Sequence, residues 1–307
     1  MNQLGTTAWN RRNSMPKGQI RKALSGYYYV QDGEKFIQCR GRGVFRNRGI
    51  SPLVGDMVDY EVEEGSDGTI TVVHERKNAL VRPPIANIDQ ALLVFSLTEP
   101  DFNPLLLDRF LVVLESFQVE PVICLTKTDL LTKEELLKIQ PFLDDYKAIG
   151  YRMIETYKDD EDLVDNITPI LKDKISVLAG QSGVGKSTLL NTVLPSLNLK
   201  TGVISEALGR GKHTTRHVEL LDVCGGLLAD TPGFSSFDFD EIEKEELSNC
   251  FPEFREASKS CKFRECLHIS EPKCSVLAGV KSGEIKDYRY KHYVKFLEEI
   301  NDRKPRY

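Results

Sequence analysis

The sequence predicts a multidomain chain: a small N-terminal β-barrel, a central α/β domain built around a phosphate loop, and a mostly helical, cysteine-rich C-terminal segment. Three observations predict it. Short β-rich runs broken by glycine fill residues 17–82; strands then alternate with helices; and three cysteines and a histidine cluster between Cys261 and Cys274. A chain of 307 residues has room for two or three domains, and its 40% hydrophobic content suffices for real cores. The boundaries expected are 1–15 for a leader or extension, 16–82 for the barrel, 83–237 for the α/β domain and 238–307 for the C-terminal unit. Met15-Pro16 resembles a natural start, so residues before it are left out of the fold.

The barrel rests on Gly26–Val30, Phe36–Arg40, Met57–Val62 and Thr69–Val73, which alternate or are rich in β-formers, with turns at Asp32-Gly33 and Asp67-Gly68. Several short strands at this spacing favour a closed sheet. Arg82-Pro83-Pro84 then reads as a stiff junction. Ala91–Phe95 is a buried strand, Leu105–Phe117 a helix, and Pro121–Leu125 a second strand. Thr132 and Glu135 form a capping box for a helix ending near Gly150. Ile175–Ala179 delivers the phosphate loop, Lys186–Leu194 is the following helix, and residues 218–223 and 226–230 complete the strands. This alternation implies a mostly parallel sheet covered on both faces.

The net charge of −5 gives no global case for nucleic acid. Locally, residues 17–50 carry eight basic residues against two acidic ones, an excess of six that marks an electrostatic footprint. No apolar run reaches the roughly 18 residues of a membrane span, and no apolar stretch follows the two N-terminal arginines, so the expected location is the cytoplasm.

Gly180-Gln181-Ser182-Gly183-Val184-Gly185-Lys186-Ser187 is a full phosphate-loop pattern between a strand and a helix. Glycines let backbone N–H groups wrap phosphate oxygens, Lys186 reaches the outer phosphates, and Ser187, followed by Thr188, offers a hydroxyl to Mg²⁺. A chance glycine-rich turn would not need this context. Thr126-Lys127-Thr128-Asp129 supplies a base reader: a carboxylate under the base accepts two hydrogen bonds from guanine and none from adenine. Lys127 lays its stem along the ring. The usual first residue of such a motif is Asn, so Thr126 offers fewer contacts. Glu155-Thr156-Tyr157-Lys158 stands where a second base-contacting segment is expected and does not match its usual pattern. The bland alternative for Asp129 is a helix-start carboxylate.

Asp230-Thr231-Pro232-Gly233 follows a strand; Asp230 can hold Mg²⁺ through water, and the Gly233 N–H can meet a γ-phosphate. Thr214 and Thr215 lie in the polar stretch 209–216, and Thr215 is the candidate Mg²⁺ ligand. Phe234 occupies the place of a water-orienting glutamine. His213 is therefore a candidate for that work, with His217 more readily an ordinary surface histidine. In an ordinary GTPase the phosphate loop precedes the base reader. Here it follows, so the domain reads as circularly permuted, which compact domains with neighbouring termini tolerate.

Cys261, Cys266, His268 and Cys274 offer three thiolates and an imidazole, the ligand set of a closed structural Zn²⁺ site. Disulfides are the rival reading, disfavoured for an intracellular chain. Cys39, Cys124, Cys224 and Cys250 read as packing residues.

With a basic barrel, a permuted base reader and phosphate loop, and this Cys/His tail, residues 16–307 resemble the bacterial small ribosomal subunit biogenesis GTPase family (RsgA, also called YjeQ). The resemblance implies an OB-fold for the barrel and a Mg²⁺-dependent GTPase binding GTP or GDP, stimulated by the small ribosomal subunit and acting late in its maturation. It also implies a C-terminal zinc domain. The partners implied are that subunit and its rRNA, with no membrane or DNA and no second copy of the chain. Tyr27, Tyr28, Tyr29 and Phe45, interleaved with Arg40, Arg42, Arg46 and Arg48, fit RNA contact; equally, the aromatics could fill the barrel core. An ATP-using P-loop enzyme and a non-hydrolysing RNA scaffold are the rivals, separable by nucleotide competition and by subunit-stimulated phosphate release.

Overall fold

The computed structural model describes residues 15–43, 45, 50–63, 65–80, 83–195, 218–230 and 239–303. Strands β1 (Lys17–Leu24), β2 (Tyr27–Asp32), β3 (Lys35–Gly41), β4 (Met57–Glu61) and β5 (Gly68–Val73) form the barrel. Antiparallel pairs β1–β2, β2–β3, β4–β5 and β1–β4, with a parallel β3–β5 pair, close it on itself. Alternate residues point inward, so Ile20, Val30, Cys39, Val58, Tyr60 and Ile70 form its core. Phe45 joins them and leaves the exposed aromatic set. Tyr27, Tyr28 and Tyr29 are all half-buried.

Two elements flank the expected junction: β6 (Ala79–Leu80) and β7 (Ile85–Ala86) pair as a short antiparallel ladder. Val54, in the segment before β4, bridges to Ile85 of this ladder.

The central sheet runs in the order β10 (Arg152–Glu155), β9 (Glu120–Thr126), β8 (Gln90–Ser96), β11 (Ile175–Ala179), β13 (Gly226–Asp230), β12 (Val218–Val223). The first five are mutually parallel, and β12 returns antiparallel to β13. All of β8 is buried, as expected of a strand covered on both faces. Leu93, Phe95, Ile123 and Leu125 pack with α1 (Pro104–Ser116) and α2 (Lys133–Ile149). Their neighbours Leu92, Val94, Val122 and Cys124 pack with α3 (Leu163–Leu171) and α4 (Lys186–Val193). The period of two therefore divides the core into two layers. The predicted capping box is present: Thr132 accepts from Glu135 N while Glu135 reaches back to Thr132 N, and Gly150 closes α2 in the left-handed region at φ +109°.

One feature departs from the expectation of a separate barrel and sheet. Strand β1, which lies in the basic stretch 17–50 and is not among the strands expected from sequence, pairs with β12 as well as with β2 and β4. The two sheets are continuous across eleven strands.

The C-terminal unit contains α5 (Pro252–Ser258), α6 (Ser275–Ser282) and α7 (Asp287–Asn301) around Phe251, Phe254, Tyr293 and Phe296. It docks on α1 through a buried charge cluster. Asp108 accepts from the Arg289 guanidinium, from Tyr146 Oη at 2.6 Å and from His292 Nδ1 at 2.5 Å. Arg289 also donates Nε to Glu253 at 2.7 Å and Nη2 at 3.0 Å. Burial disfavours its charge, but the two carboxylates more than offset this and hold its pKa well above the usual value.

Candidate nucleotide site and metal centre

Strands β8, β9 and β11 end at one edge of the sheet, and two segments distant in sequence meet there. Lys127, at φ +58°, turns the chain out of β9 into a single 3₁₀ turn at Thr128–Leu130. Across the edge, β11 passes through Gly180 and the loop into α4. Gly180, at φ +135°, lies so close to β8 that an added Cβ would sit 2.2 Å from Val94 O, which excludes any side chain. Gly183 and Gly185 also take positive φ, letting the loop curl around the helix N-terminus.

The joint between the two motifs is Thr126. Its buried hydroxyl donates to Val184 O at 2.5 Å, tying the end of β9 to the phosphate loop. Thr126, Lys127, Asp129 and Leu130 line one cavity of about 230 Å³ with Gly185, Thr188, Leu189 and Thr192 of the loop and α4. Thr156, Tyr157 and Lys158 form its other wall. That segment is fixed by Thr156 N donating to Leu125 O at 2.8 Å and Thr128 Oγ1 donating to Thr156 O at 3.3 Å. The segment with the poorest sequence match therefore lines the same cavity as Asp129. Its position follows from β10 pairing with β9, which no local pattern announces. The Lys127 ammonium donates to Glu99 O, fixing its methylene stem.

Lys186 begins α4 and is 8% exposed. Its ammonium donates to Gly180 O at 2.7 Å and to Gln181 O. Burial pulls its pKa down to about 8, so a phosphate arriving beside it would restore the full charge. Ser187 is buried next to it. On β13, Ser176↔Leu228 pairing carries Asp230 abreast of Leu178, beside the phosphate-loop strand. The sequence candidates Thr214, Thr215, His213, His217, Thr231, Gly233 and Phe234, with Arg46 and Arg48 of the barrel, lie outside the described residues. A larger groove of about 750 Å³ opens between α2 and the C-terminal unit, lined by Asp145, Glu253, Arg255, Glu256 and Lys286. It has mixed charge and no phosphate-binding element, so it does not compete as the nucleotide site.

Cys261, Cys266, His268 and Cys274 converge, their ligand atoms all within 4.8 Å of one another. Cys261 Sγ lies 3.9 Å from Cys274 Sγ and 3.8 Å from His268 Nδ1, and Nδ1 lies 3.3 Å from Cys274 Sγ. Tetrahedral Zn–S and Zn–N bonds give edges of roughly 3.5–3.8 Å, so the quartet fits zinc. All the cysteines are free thiols, which leaves no disulfide here. Ser275 N donates to Cys261 Sγ and Leu277 N to Cys274 Sγ. Burial opposes ionisation of Cys261, but hydrogen bonds from the Ser275 and Val276 N–H groups and from Cys274 and Cys266 outweigh it and bring the thiol below its ordinary pKa. Glu271 accepts from Leu267, Ile269 and Ser270 N–H groups and holds the histidine loop in place.

A guanine-type base reader and a phosphate loop that share one cavity, in reversed chain order and beside a five-stranded barrel, define a circularly permuted P-loop GTPase. Comparison with known proteins narrows the class. The RsgA GTPase family model matches residues 73–240 and the RsgA N-terminal domain model residues 17–70. The small ribosomal subunit biogenesis GTPase RsgA of Bacillus cytotoxicus is 56% identical over 293 residues, covering 95% of this chain and 100% of that protein. The Bacillus subtilis protein of the same name is 56% identical over 298 residues, with the same coverage. The crystal structure of YloQ, described as a circularly permuted GTPase, superposes with a TM-score of 0.82 at 50% identity, over 98% of this chain and 100% of that one. YjeQ from Thermotoga maritima superposes with a TM-score of 0.81 at 35% identity, over 94% and 99%. The chain belongs to the RsgA family of GTPases.

Proposed function

We propose that this chain is a Mg²⁺-dependent GTPase of small ribosomal subunit biogenesis that binds the subunit through its rRNA, with hydrolysis stimulated by the subunit. It works in the cytoplasm as a monomer, without membrane or DNA partners; among the described residues no helix is long and apolar enough to cross a membrane. The observation that carries the reading is the cavity in which Asp129 and Lys127 meet Gly185 and Thr188. Asp129 accepts from the guanine edge, Lys127 covers one ring face, and Thr126 holds the loop that receives the phosphates. Lys186 exchanges its two carbonyl partners for the outer phosphate oxygens. Mg²⁺, when bound, neutralises charge on the β- and γ-phosphates; Ser187, Thr215 and, through water, Asp230 would hold it. His213 is the candidate for orienting the attacking water, and the Gly233 N–H for sensing the γ-phosphate. One structural Zn²⁺ closes the Cys261–Cys274 segment.

For RNA, the barrel offers Arg40 and Arg42. Each is exposed and paired only at the surface, Arg40 with Asp67 at 3.6 Å and over the Tyr27 ring, Arg42 with Glu61 at 3.0 Å. Such pairs are worth under about 1 kcal/mol, so phosphate can replace the carboxylates at little cost. Contacts of the γ-phosphate with Thr215 and Gly233 bias the segments that flank β12 and β13, so loss of the γ-phosphate lowers affinity for the subunit. Phosphate release from GTP, measured with and without purified small subunits and repeated with Ser187→Ala, tests this. Subunits should raise the rate and the substitution should abolish it; an unstimulated rate would contradict the proposal.

A further inference from the structure

The join between barrel and GTPase sheet is narrow and unusually polar. Strand β1 meets β12 through two register pairs, Lys22↔Glu219 and Ala23↔Val218. On its far side β12 pairs with β13, where Glu219 stands opposite Asp230. Lys22, Glu219 and Asp230 therefore form one row across three strands. At about 4.8 Å per strand, barrel and Asp230 backbones are roughly 10 Å apart. Asp230 opens the Asp-Thr-Pro-Gly segment, and Val218 closely follows the stretch holding Thr214 and Thr215. In sequence, both candidate Mg²⁺- and γ-phosphate-contacting segments thus adjoin the strand pair that the barrel grips.

The grip has a specific residue. The register of β1 against β2 runs Ile20↔Val30 and then Lys22↔Tyr29, so Arg21 is the extra residue of a β-bulge. A bulge re-aims the side chain it carries. Arg21 is 5% exposed, and its Nη2 reaches Leu220 O at 3.1 Å and Asp222 at 3.0 Å on β12, while Nη1 donates to Gln31 on β2. Its Nε is buried without a partner. Next to it, Lys22 Nζ pairs with Glu219 at 3.0 Å. Burying a guanidinium at a short strand contact costs more than an apolar seam of the same size. What it adds is position: the guanidinium fixes β12 against both β1 and β2.

We propose that this seam couples RNA engagement by the barrel to the nucleotide state, with Arg21 as its positioning residue. This rests on the reading of the chain as a subunit-binding GTPase. Any shift of β12 or β13 between the GDP- and GTP-bound states moves the barrel, and RNA held by the barrel biases the nucleotide state by the same free energy, because linkage is reciprocal.

The test measures affinity for small subunits with GDP and with a non-hydrolysable GTP analogue, for wild type, Arg21→Met and Arg21→Lys. Nucleotide affinity without subunits serves as the control. Wild type should show a ratio between the two states within roughly 5- to 150-fold. Arg21→Met should bring the ratio toward one while nucleotide affinity alone changes less than about twofold, and Arg21→Lys should recover part of it. A folded Arg21→Met variant with the wild-type ratio overturns the proposal. Should Arg21→Met fail to fold, Lys22→Ala combined with Glu219→Ala takes its place, with a reduced ratio expected and an unchanged one overturning it. A wild-type ratio of one would remove the functional reading itself, whereas a wild-type ratio that survives every seam variant removes only the seam.

Discussion

Replacing Thr126 by valine removes one hydroxyl from the joint between base reader and phosphate loop and leaves the packing volume almost unchanged. The hydroxyl donates to Val184 O at 2.5 Å in a buried setting. Leaving that acceptor without its donor costs about 1–3 kcal/mol. The bond joins two parts of the protein itself, so part of the loss falls on stability in every state. The remainder appears as a looser loop that binding must order. If all of a 2 kcal/mol loss reached binding, affinity would fall roughly 30-fold, since 1.4 kcal/mol is a decade. The expected result is a weakening of about 3- to 30-fold for GDP, measured by titration of a fluorescent nucleotide. Preference for guanine over adenine should be retained, because Asp129 is untouched. Thr126→Ser should stay within about threefold of wild type, because it keeps the donor. If Thr126→Val matched wild type in both affinity and urea midpoint, the hydroxyl would not be the joint, and the reasoning from this contact would fail.

Further outcomes follow from the C-terminal unit. Asp108→Asn should destabilise the chain by about 3–5 kcal/mol in urea unfolding, because Asp108 and Arg289 are fully buried and the cation would lose one partner. Glu299→Gln, which breaks the partly exposed pair with Arg109, should cost under about 1 kcal/mol; equal costs for the two would contradict the burial argument. Metal analysis should find one zinc per chain, and Cys266→Ser or a strong chelator should expose residues 261–274 to limited proteolysis, since a structural site contributes about 10–16 kcal/mol. A metal-free chain with the same proteolytic resistance would refute the zinc assignment.

Much of this site was legible because its chemistry is local. The glycines of the phosphate loop, Asp129 after a buried strand and the Cys/His quartet are each marked within a few residues, and the structure brings Asp129 into one cavity with Gly185 and the ligand atoms of the quartet within 4.8 Å of one another. The capping pair Thr132 and Glu135 and the stop at Gly150 were equally readable, because helix ends are satisfied by near neighbours. Three features were not. Strand β1 carries Lys17, Arg21 and Lys22 of the basic footprint and is not among the expected strands; only pairing with β12, about 200 residues later, buries Arg21. Asp108 sits among Leu107, Phe110 and Leu111 on α1, where a carboxylate looks misplaced until α7 brings Arg289. Thr156–Lys158 has the place in chain order but not the pattern of a base contact, and only the pairing of β10 with β9 puts it against the cavity. In each case the deciding partner lies far along the chain, and periodicity holds no record of it.

The most direct measurement is base selectivity after Asp129→Asn. The carboxylate accepts from the two N–H donors of guanine; an amide offers one acceptor and one donor, which suits the second carbonyl of xanthine instead. The account predicts that the variant loses GTP affinity by at least about 100-fold, as two charge-assisted bonds are removed, and gains affinity for xanthosine triphosphate. A variant that still binds GTP like wild type, or gains nothing from xanthine, would show that Asp129 does not lie beneath the purine held at Lys186.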